Sequence, residues 1–450
     1  MNKIITTGSL DTDVGIVLNS EKHPRLKFRA TLTTPHGDIS IVFLQNVEWV
    51  RNYNTNKSDD VRVTFTIGGG VYRDYIMNSK DQLELTLERL KGDEVLYSTR
   101  YKFIILDSNE RAQKDLLTYM SSKDLEIFNP IQVQGQCIDR DVYSLEDVNI
   151  EGIYKNTDLS SVIRAEIMTA INNVTYGTGF LQLQMNMVEV DNNNKYRHVI
   201  IPTGVKLLDL PTYFQIQDSY GLYNAGLGTY VQYFNNKKYI FIYPLFDVKQ
   251  FSNVDKKLMI FHSNNRRVGT GGITWMVDGD ITKILPQYDV SLSENDGKNM
   301  VESGNTISYA TPDTIYSPTG KVQDDKLSDE LKNKVVTQQA SENADGTNKT
   351  TWLGTINNAY KYRGQYIQNQ MRMITLNWHD SDIDIIYPGM PCVYIYETPK
   401  DGIIKLYGIV QAVAQMWTPD TKIARGQLIV AVMDDATFMN NDSYDTGLKS

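Results

Sequence analysis

Acidic side chains are the first candidates for chemistry in this chain. They are closely spaced in two places, at Asp11 and Asp13 and in the alternating set Asp380, Asp382 and Asp384. A glycoside hydrolase needs two carboxyl groups held at a defined separation in a rigid cleft. In strand geometry the alternating set would share one face and could form a weak Ca²⁺ site, although the EF-hand pattern is absent. We expect these acids to lie in surface loops, the usual place for unpaired carboxylates.

Two glycine-rich segments have the composition of a phosphate-binding loop without its context. Gly68-Gly69-Gly70 follows one predicted strand and precedes another, and the segment 268–272 (VGTGG) also lacks a following helix. A phosphate cradle needs the N-terminus of a helix behind the glycines. Both segments are therefore predicted to be turns.

The histidines and cysteines are too scattered to form a recognisable site. No pair of histidines has metal-ligand spacing, and the metalloprotease and serine-hydrolase motifs are absent. The residues concerned are His23, His36, His198, His262, His379, Cys137 and Cys392. The two cysteines are predicted to be buried thiols. The sequence thus predicts no catalytic, cofactor-binding or metal-binding residue, and a protein that is not an enzyme.

Composition restricts the class of protein. The chain has 450 residues, 41% apolar and 22% charged, which allows about three or four domains with sizeable cores. Its net charge of −9 disfavours a surface for duplex nucleic acid or anionic membrane. No apolar run reaches the ~18 residues of a membrane span, and MNKIITTGSL is no secretion signal, so we expect a soluble protein made in the cytoplasm. The 28 tyrosines favour half-buried strands and large contact surfaces.

Residues 1–108 are predicted to form an N-terminal antiparallel β-barrel. Apolar residues alternate with polar ones in VRVTFTI (61–67) and QLELTLE (82–88), and turn residues separate the strands. Within this block, residues 1–25 are expected to form an arm or a short edge strand.

Residues 109–262 are predicted to be a mixed α+β domain. Helical character is expected at 109–120 and, most clearly, within 150–174, where Thr157 or Asp158 can cap a helix. The segment 205–225 is predicted to be helix–Pro–helix, with Pro211 in a first helical turn. A hairpin is predicted at 229–245, with its turn at Asn235-Asn236.

Residues 263–354 are predicted to be an irregular insertion or linker. One or two strands are expected within 279–297 and a short helix at 326–336.

Residues 355–437 are predicted to form a C-terminal antiparallel β-barrel, followed by a flexible tail at 438–450. Turns at Pro388-Gly389 and at 399–402 bound three consecutive strands, and Gly408 within them predicts a close backbone approach or a bulge. The whole chain is therefore predicted to be α+β, mainly β, with two small antiparallel β-barrel-like domains flanking a mixed α+β region.

The order of these blocks resembles the baseplate or tail hub proteins of tailed phages, which are similar to the hub part of type VI secretion spikes. The resemblance rests on GDISIVFLQNVEWV (37–50) through YRDYIMNSKDQLELTLERL (72–90), on the central helix and hairpin, and on YPGMPCVYIY, GIIKLYGIVQAVAQMW and GQLIVAV near the C-terminus. The resemblance covers about two thirds of the chain. It lies in the order and general composition of the segments rather than in a strict motif, and residues 263–350 have no counterpart.

The resemblance implies a structural virion protein of the phage tail or baseplate, assembled in the host cytoplasm. It implies a homotrimeric ring joining a sixfold tail tube protein to a threefold central spike protein, with other baseplate proteins as neighbours. Phage DNA would be passing cargo only, and no stable membrane binding or cofactor is expected. The alternatives are another tail-tip or receptor-binding protein, or a glycan hydrolase that works through carboxylates such as Asp380 and Asp382.

Overall fold

A computed structural model gives the architecture of the chain. It describes residues 10–20, 26–108, 130–173, 175–176, 179–180, 183–217, 220–235, 237–262, 273–286, 291–294, 371–398, 402–419 and 424–434, together with 341–342, 348–349, 360, 364 and 367–368. The predicted helices at 109–120 and 326–336 and the predicted tail lie outside these residues. Within them, no helix is both long and apolar enough to cross a membrane.

Seven antiparallel strands form the N-terminal block. They are β1 (Leu26–Thr34), β2 (Gly37–Ile41), β3 (Phe43–Asn52), β4 (Asp60–Gly68), β5 (Glu84–Lys91), β6 (Glu94–Ser108) and β7 (Pro130–Asp139), in the spatial order β3-β4-β7-β6-β5-β1-β2. The predicted alternation is confirmed, since Val61, Val63 and Phe65 are buried together with Leu85 and Leu87. Strand β7 lies in the segment predicted as central domain, yet it pairs with β4 and β6.

Two details of this block correct the sequence analysis. Residues 10–18 form a helix rather than an arm or an edge strand, because Leu10, Val14 and Val17 make one apolar stripe that packs against Phe261 and its neighbours. The glycine run leads into short helical turns, Gly69–Val71 and Tyr72–Ile76, rather than directly into a strand.

The central block is a mixture of helices and short sheets, as predicted. Its strands are β8 (Asn149–Thr157), β9 (Thr175–Tyr176), β10 (Gly179–Phe180), β11 (Leu183–Met187), β12 (Tyr196–Lys206), β13 (Leu227–Phe234) and β14 (Lys237–Pro244). Its helical segments are Arg140–Glu146, Leu159–Asn173, Leu207–Asp209, Leu210–Ile216 and Gln250–Asn253. Pro211 lies in the first turn of its helix, and Asn235 has a positive φ in the hairpin turn, so both predictions are confirmed.

The C-terminal block is built around the predicted three-stranded meander. Its strands are β15 (Lys257–His262), β16 (Trp275–Asp278), β17 (Ile281–Ile284), β18 (Ser291–Glu294), β21 (Arg372–His379), β22 (Pro391–Thr398), β23 (Gly402–Trp417) and β24 (Arg425–Asp434), with the two-residue pair β19 (Ser341–Glu342) and β20 (Asn348–Lys349) apart from them. Cys392 is buried and free, like Cys137 in the N-terminal block, as predicted.

In the described part of the chain, one strand pair joins the N-terminal and C-terminal blocks. The first half of β23 pairs with β22, and its second half, from Ala412 to Trp417, pairs antiparallel with β3. The N-terminal and C-terminal blocks therefore share one 15-stranded sheet and one large apolar core. The mainly β fold is confirmed, while closure of either block into a barrel stays a prediction.

Gly408 lies where β23 passes very close to β24. A Cβ atom at this position would lie 2.2 Å from the carbonyl oxygen of Ala431. We expect Gly408→Val to lower the free energy of unfolding by about 1–3 kcal/mol because the strand pair must separate to admit the side chain. Gly68→Val is the control, since no atom lies within 4 Å of a Cβ there. Equal stability of the two variants in urea titrations would contradict close packing at Gly408.

Asp158 caps the helix Leu159–Asn173, accepting hydrogen bonds from the Ser161 backbone N–H at 2.8 Å and from the Ser160 hydroxyl at 2.6 Å. Burial acts to raise the pKa of Asp158, but these hydrogen bonds outweigh it and lower the pKa to about 2. The stabilisation is therefore complete above the unfolded-state pKa of about 3.9 and is lost as pH falls towards 2.

Asp158→Ala is expected to cost about 1 kcal/mol of stability near neutral pH through loss of the cap. The difference from wild type should shrink on acidification below about pH 4. Asp147→Ala, at a highly exposed carboxylate, is the control and should change stability little. A destabilisation by Asp158→Ala that grows at acid pH would contradict the capping role.

Candidate functional site

The acidic residues singled out in the sequence do not share a strand face. Asp380 has a left-handed backbone at the end of β21, Asp382 caps the helical turn Ile383–Ile385, and Asp384 lies within that turn. The prediction that these acids lie in a surface loop is also wrong for Asp382 and Asp384, because their side chains are only 13% and 19% exposed. Asp11 and Asp13 lie on the helix Leu10–Leu18 instead.

Arg51 is the first of two fully buried arginines that bind this acidic turn. Its Nε and Nη2 donate to the two carboxylate oxygens of Asp59 at 3.1 and 3.0 Å, a bidentate pair. Its Nη2 also lies 3.2 Å from Asp384, and its Nη1 donates to the carbonyl oxygen of Ile383 at 2.6 Å. One side chain of β3 thus binds a loop of the N-terminal block and the turn after β21.

Arg89 of β5 is the second buried arginine. Its Nη2 donates to Asp382 at 2.6 Å, and its Nε lies 2.8 Å from the other carboxylate, Asp384. Its guanidinium also lies 5.7 Å from the ring centre of Phe28, a cation–π contact. Arg89 thus connects β5 to the same turn as Arg51, from a second strand of the N-terminal block.

Neutral hydrogen-bond donors complete the cluster. The hydroxyls of Tyr97 and Tyr230 donate to Asp384 and Asp59, each at 3.1 Å. Tyr53 donates to Gln232 at 3.0 Å, and Gln232 donates in turn to the carbonyl oxygen of Ile386 at 2.6 Å. Because Tyr230 and Gln232 belong to β13, the central block also takes part. We call Arg51, Arg89, Asp59, Asp382 and Asp384 with these donors the ionic junction.

The electrostatics of the ionic junction favour permanently charged arginines. Burial acts to lower the pKa of each arginine, but the neighbouring carboxylates outweigh burial and raise it. Asp59 and Asp384 raise the pKa of Arg51, and chiefly Asp384 raises the pKa of Arg89. Burial raises the pKa of Tyr97, and Asp384 raises it further, so its hydroxyl stays a donor. Two cations therefore face three carboxylates, two of which also accept hydrogen bonds from tyrosine hydroxyls, and this arrangement holds the blocks together.

A second, smaller ion cluster joins the N-terminal and central blocks. Lys238 of β14 lies 2.9 Å from Asp139 and 2.6 Å from Asp141, at the start of the helix Arg140–Glu146. Burial acts to lower the pKa of Lys238, but the two carboxylates outweigh it and raise it. Asp139 also caps that helix through the backbone N–H groups of Asp141 and Val142.

One cleft lies within the described residues. This cleft of about 70 Å³ is lined by Phe241, Tyr243, Tyr387 and neighbours, well below the ~300–1,000 Å³ of a small-molecule pocket. No group of three or more His, Cys, Asp or Glu in the described part of the chain could hold a metal ion.

The two arginines were missed by the sequence analysis, although their positions carried a signal. Strand β3 buries Val47, Trp49 and then Arg51, while β5 buries Leu85, Leu87 and then Arg89. In each strand an arginine follows two apolar residues on the buried face of a clean alternation. A charged residue there needs a buried partner, which is the signal that could have predicted an ion cluster.

Comparison with known proteins gives structural neighbours only. Neither a protein-family model nor a curated protein matches this chain. A tail protein from Neisseria meningitidis is 8% identical with a TM-score of 0.43, covering 90% of this chain and 96% of its own. The 43 kDa tail protein of prophage MuSo2 from Shewanella oneidensis is 9% identical with a TM-score of 0.43, covering 91% and 97%. An E. coli component of the type VI secretion system, described as similar to T4 bacteriophage tail proteins, is 10% identical with a TM-score of 0.41, covering 91% and 76%.

These structural neighbours are phage tail proteins and a component of the type VI secretion system, the two classes named by the resemblance in the sequence. Because the TM-scores lie below 0.5, no partner or residue role is taken from these neighbours.

Arg51→Met tests the ionic junction. The change leaves Asp59 and Asp384 buried beside an apolar side chain, and we expect it to lower the free energy of unfolding by about 3–5 kcal/mol. Arg62→Met is the control, because Arg62 is half-exposed and lies 3.7 Å from Asp60; it should cost at most about 1 kcal/mol. Similar urea midpoints for the two variants would contradict a structural role for the junction.

Proposed function

We propose that this chain is a structural hub protein of a phage tail or baseplate. The observation that carries the proposal is the pairing of β3 with β23, which joins two strand-rich blocks from opposite ends of the chain in one sheet. Each copy would present two β modules in a fixed relation. A ring of three copies would then present six such modules, which fits a sixfold partner on one side and a threefold partner on the other.

The proposed domain organisation follows the sequence analysis. Residues 1–108 and 355–437 would be barrel-like modules, 109–262 a central α+β domain, 263–354 an insertion and 438–450 a tail. The pairing of β7 with β4 and β6 supports adding residues 130–139 to the first module. The pairing of β15 with β22 supports adding 257–262 to the second.

The partners proposed for this hub are further copies of the chain, the tail tube protein, the central spike protein and other baseplate proteins. Phage DNA would pass through the ring without stable binding, in keeping with the net charge of −9. The protein would belong to the virion after assembly in the host cytoplasm, and no stable membrane binding is proposed.

We propose no catalytic role for the acidic residues. Asp382 and Asp384 are bound by Arg89, Arg51 and Tyr97 in a mostly buried cluster, so they lack the open cleft that a glycan hydrolase needs. Turnover of peptidoglycan or capsule that is abolished by Asp382→Asn in a folded variant would favour the hydrolase instead. Glycan binding without affinity for tube or spike proteins would favour a receptor-binding protein.

Native mass spectrometry tests the proposed oligomer. We expect a particle of three times 51.3 kDa, alone or on addition of the tube protein, because the hub needs three copies to present six modules. Arg62→Met is the control variant. It should leave the number of copies per particle unchanged, since the Arg62 side chain takes no part in the ionic junction. A particle that stays at the mass of one chain under both conditions would contradict the hub.

A further inference from the structure

The strand pair of β8 and β12 carries exposed apolar side chains on its outer face. Ile153 of β8 is 65% exposed and Ile200 of β12 is 50% exposed, and the two lie directly opposite each other across the pair. The inner face of the same pair covers the core of the central block through Ile150, Val199 and Ile201. Contiguous exposed apolar surface marks an interaction site more often than a single exposed residue does.

The hydrogen bonds of Ile200 show which way the backbone of β8 faces. The Ile200 backbone N–H donates to the Tyr220 hydroxyl at 3.1 Å, and the Tyr213 hydroxyl donates to the Ile200 carbonyl oxygen at 3.3 Å. Both groups therefore point away from β8. In an antiparallel pair, the residue opposite then also points its N–H and C=O away from the partner strand. Those groups of Ile153 lie on the outer edge of β8, and among the described residues β8 pairs with β12 alone.

Charged residues are placed symmetrically about Ile153 on this edge. Glu151 lies two residues before it and Lys155 two residues after it, both exposed and on the same face. A lone lysine on an edge strand protects the edge against pairing. With a glutamate at the matching distance, two antiparallel copies of the edge bring each lysine opposite a glutamate. A parallel arrangement in register would place like charges side by side, which is unfavourable.

We propose that β8 pairs antiparallel with β8 of a second copy of the chain, about a twofold axis at Ile153. Ile153 would lie opposite its own counterpart, and Glu151 of each copy would lie opposite Lys155 of the other. Ile153 and Ile200 of both copies would then form one apolar row across a four-stranded sheet. Because Asn156 has a positive φ, the regular pairing would extend from Glu151 to Lys155 in each copy.

This contact goes beyond the proposed hub and does not rest on it. A twofold contact uses the same surface on both copies, whereas a threefold ring joins two different surfaces. With ~five paired residues per copy the contact is far smaller than an obligate interface, so we expect reversible association of the free chain. It would cover the edge of β8 before assembly and so limit unspecific strand pairing.

Cysteine cross-linking tests the contact in the full-length chain, whose native Cys137 and Cys392 are buried. The Cα atoms of a hydrogen-bonded antiparallel pair lie about 5.5 Å apart, a separation that a disulfide bridges. Ile153→Cys should therefore give a dimer at twice 51.3 kDa on oxidation, which disappears on reduction. Val277→Cys is the control, since Val277 is 50% exposed on β16, and it should give far less dimer.

Charge reversal in the Ile153→Cys variant tests the register. Glu151→Lys and Lys155→Glu each turn both opposite-charge pairs of the dimer into like-charge pairs, so each change should lower the yield of dimer about fivefold. An equal mixture of the two reversed chains should recover it as a mixed dimer, because every lysine again faces a glutamate. All three positions are exposed, so the fold of each chain should be unaffected.

The outcomes separate this contact from the proposed function. As much dimer from Val277→Cys as from Ile153→Cys overturns the contact, and so does a mixture of the reversed chains that fails to recover the dimer. Linkage of Ile153→Cys to another tail protein but not to itself also overturns it. A particle of three chains without the cross-link overturns the contact and leaves the hub intact. A cross-linked dimer of a chain that never reaches three copies supports the contact and contradicts the hub.

Discussion

The antiparallel pairing of β3 with β23 is the interaction on which the architecture depends. It joins residues 47–52 to residues 412–417 and so closes nearly the whole chain into a loop. Without it the N-terminal and C-terminal blocks would be two separate sheets connected through the central block. With it they share one core, in which Trp49 of β3 packs against Phe28 at a ring distance of 4.8 Å, and Phe28 packs against Trp417 at 5.1 Å.

The ionic junction fixes the geometry of this connection. Burying two arginines and three carboxylates costs a large desolvation energy, and apolar residues of the same volume would often be as stable or more so. Our hypothesis for their presence is orientational specificity, since charged groups with directed hydrogen bonds allow only one arrangement of β3, β5 and the turn Ile383–Ile385. Tyr230 and Gln232 extend that restriction to the central block. Such a cluster suits a protein whose proposed role is to present two modules at a fixed angle. Replacing the whole cluster by apolar residues tests this hypothesis, and modules that kept their relative orientation in that variant would contradict it.

Local features of the fold followed from the sequence because they depend on neighbouring residues. The alternation from Val61 to Ile67, the cap at Asp158 and the turn at Asn235 each rest on a few consecutive side chains. The pairing of β23 with β3 depends on partners more than 350 residues apart, and alternation alone does not specify which strand pairs with which. The helix Leu10–Leu18 was missed because its apolar stripe is short and its polar flanks resemble a loop. The roles of Asp382 and Asp384 were missed for a related reason, since a carboxylate in a turn reads as exposed until the distant arginines are placed.

The central claim is that one chain supplies two β modules held in a fixed relation, and that three chains form a ring from them. Electron cryo-microscopy of the purified full-length protein tests this most directly. The account predicts a threefold particle with an open channel surrounded by six β-rich modules, two from each copy. A particle with one such module per copy, or a monomer with the two blocks apart, would contradict it.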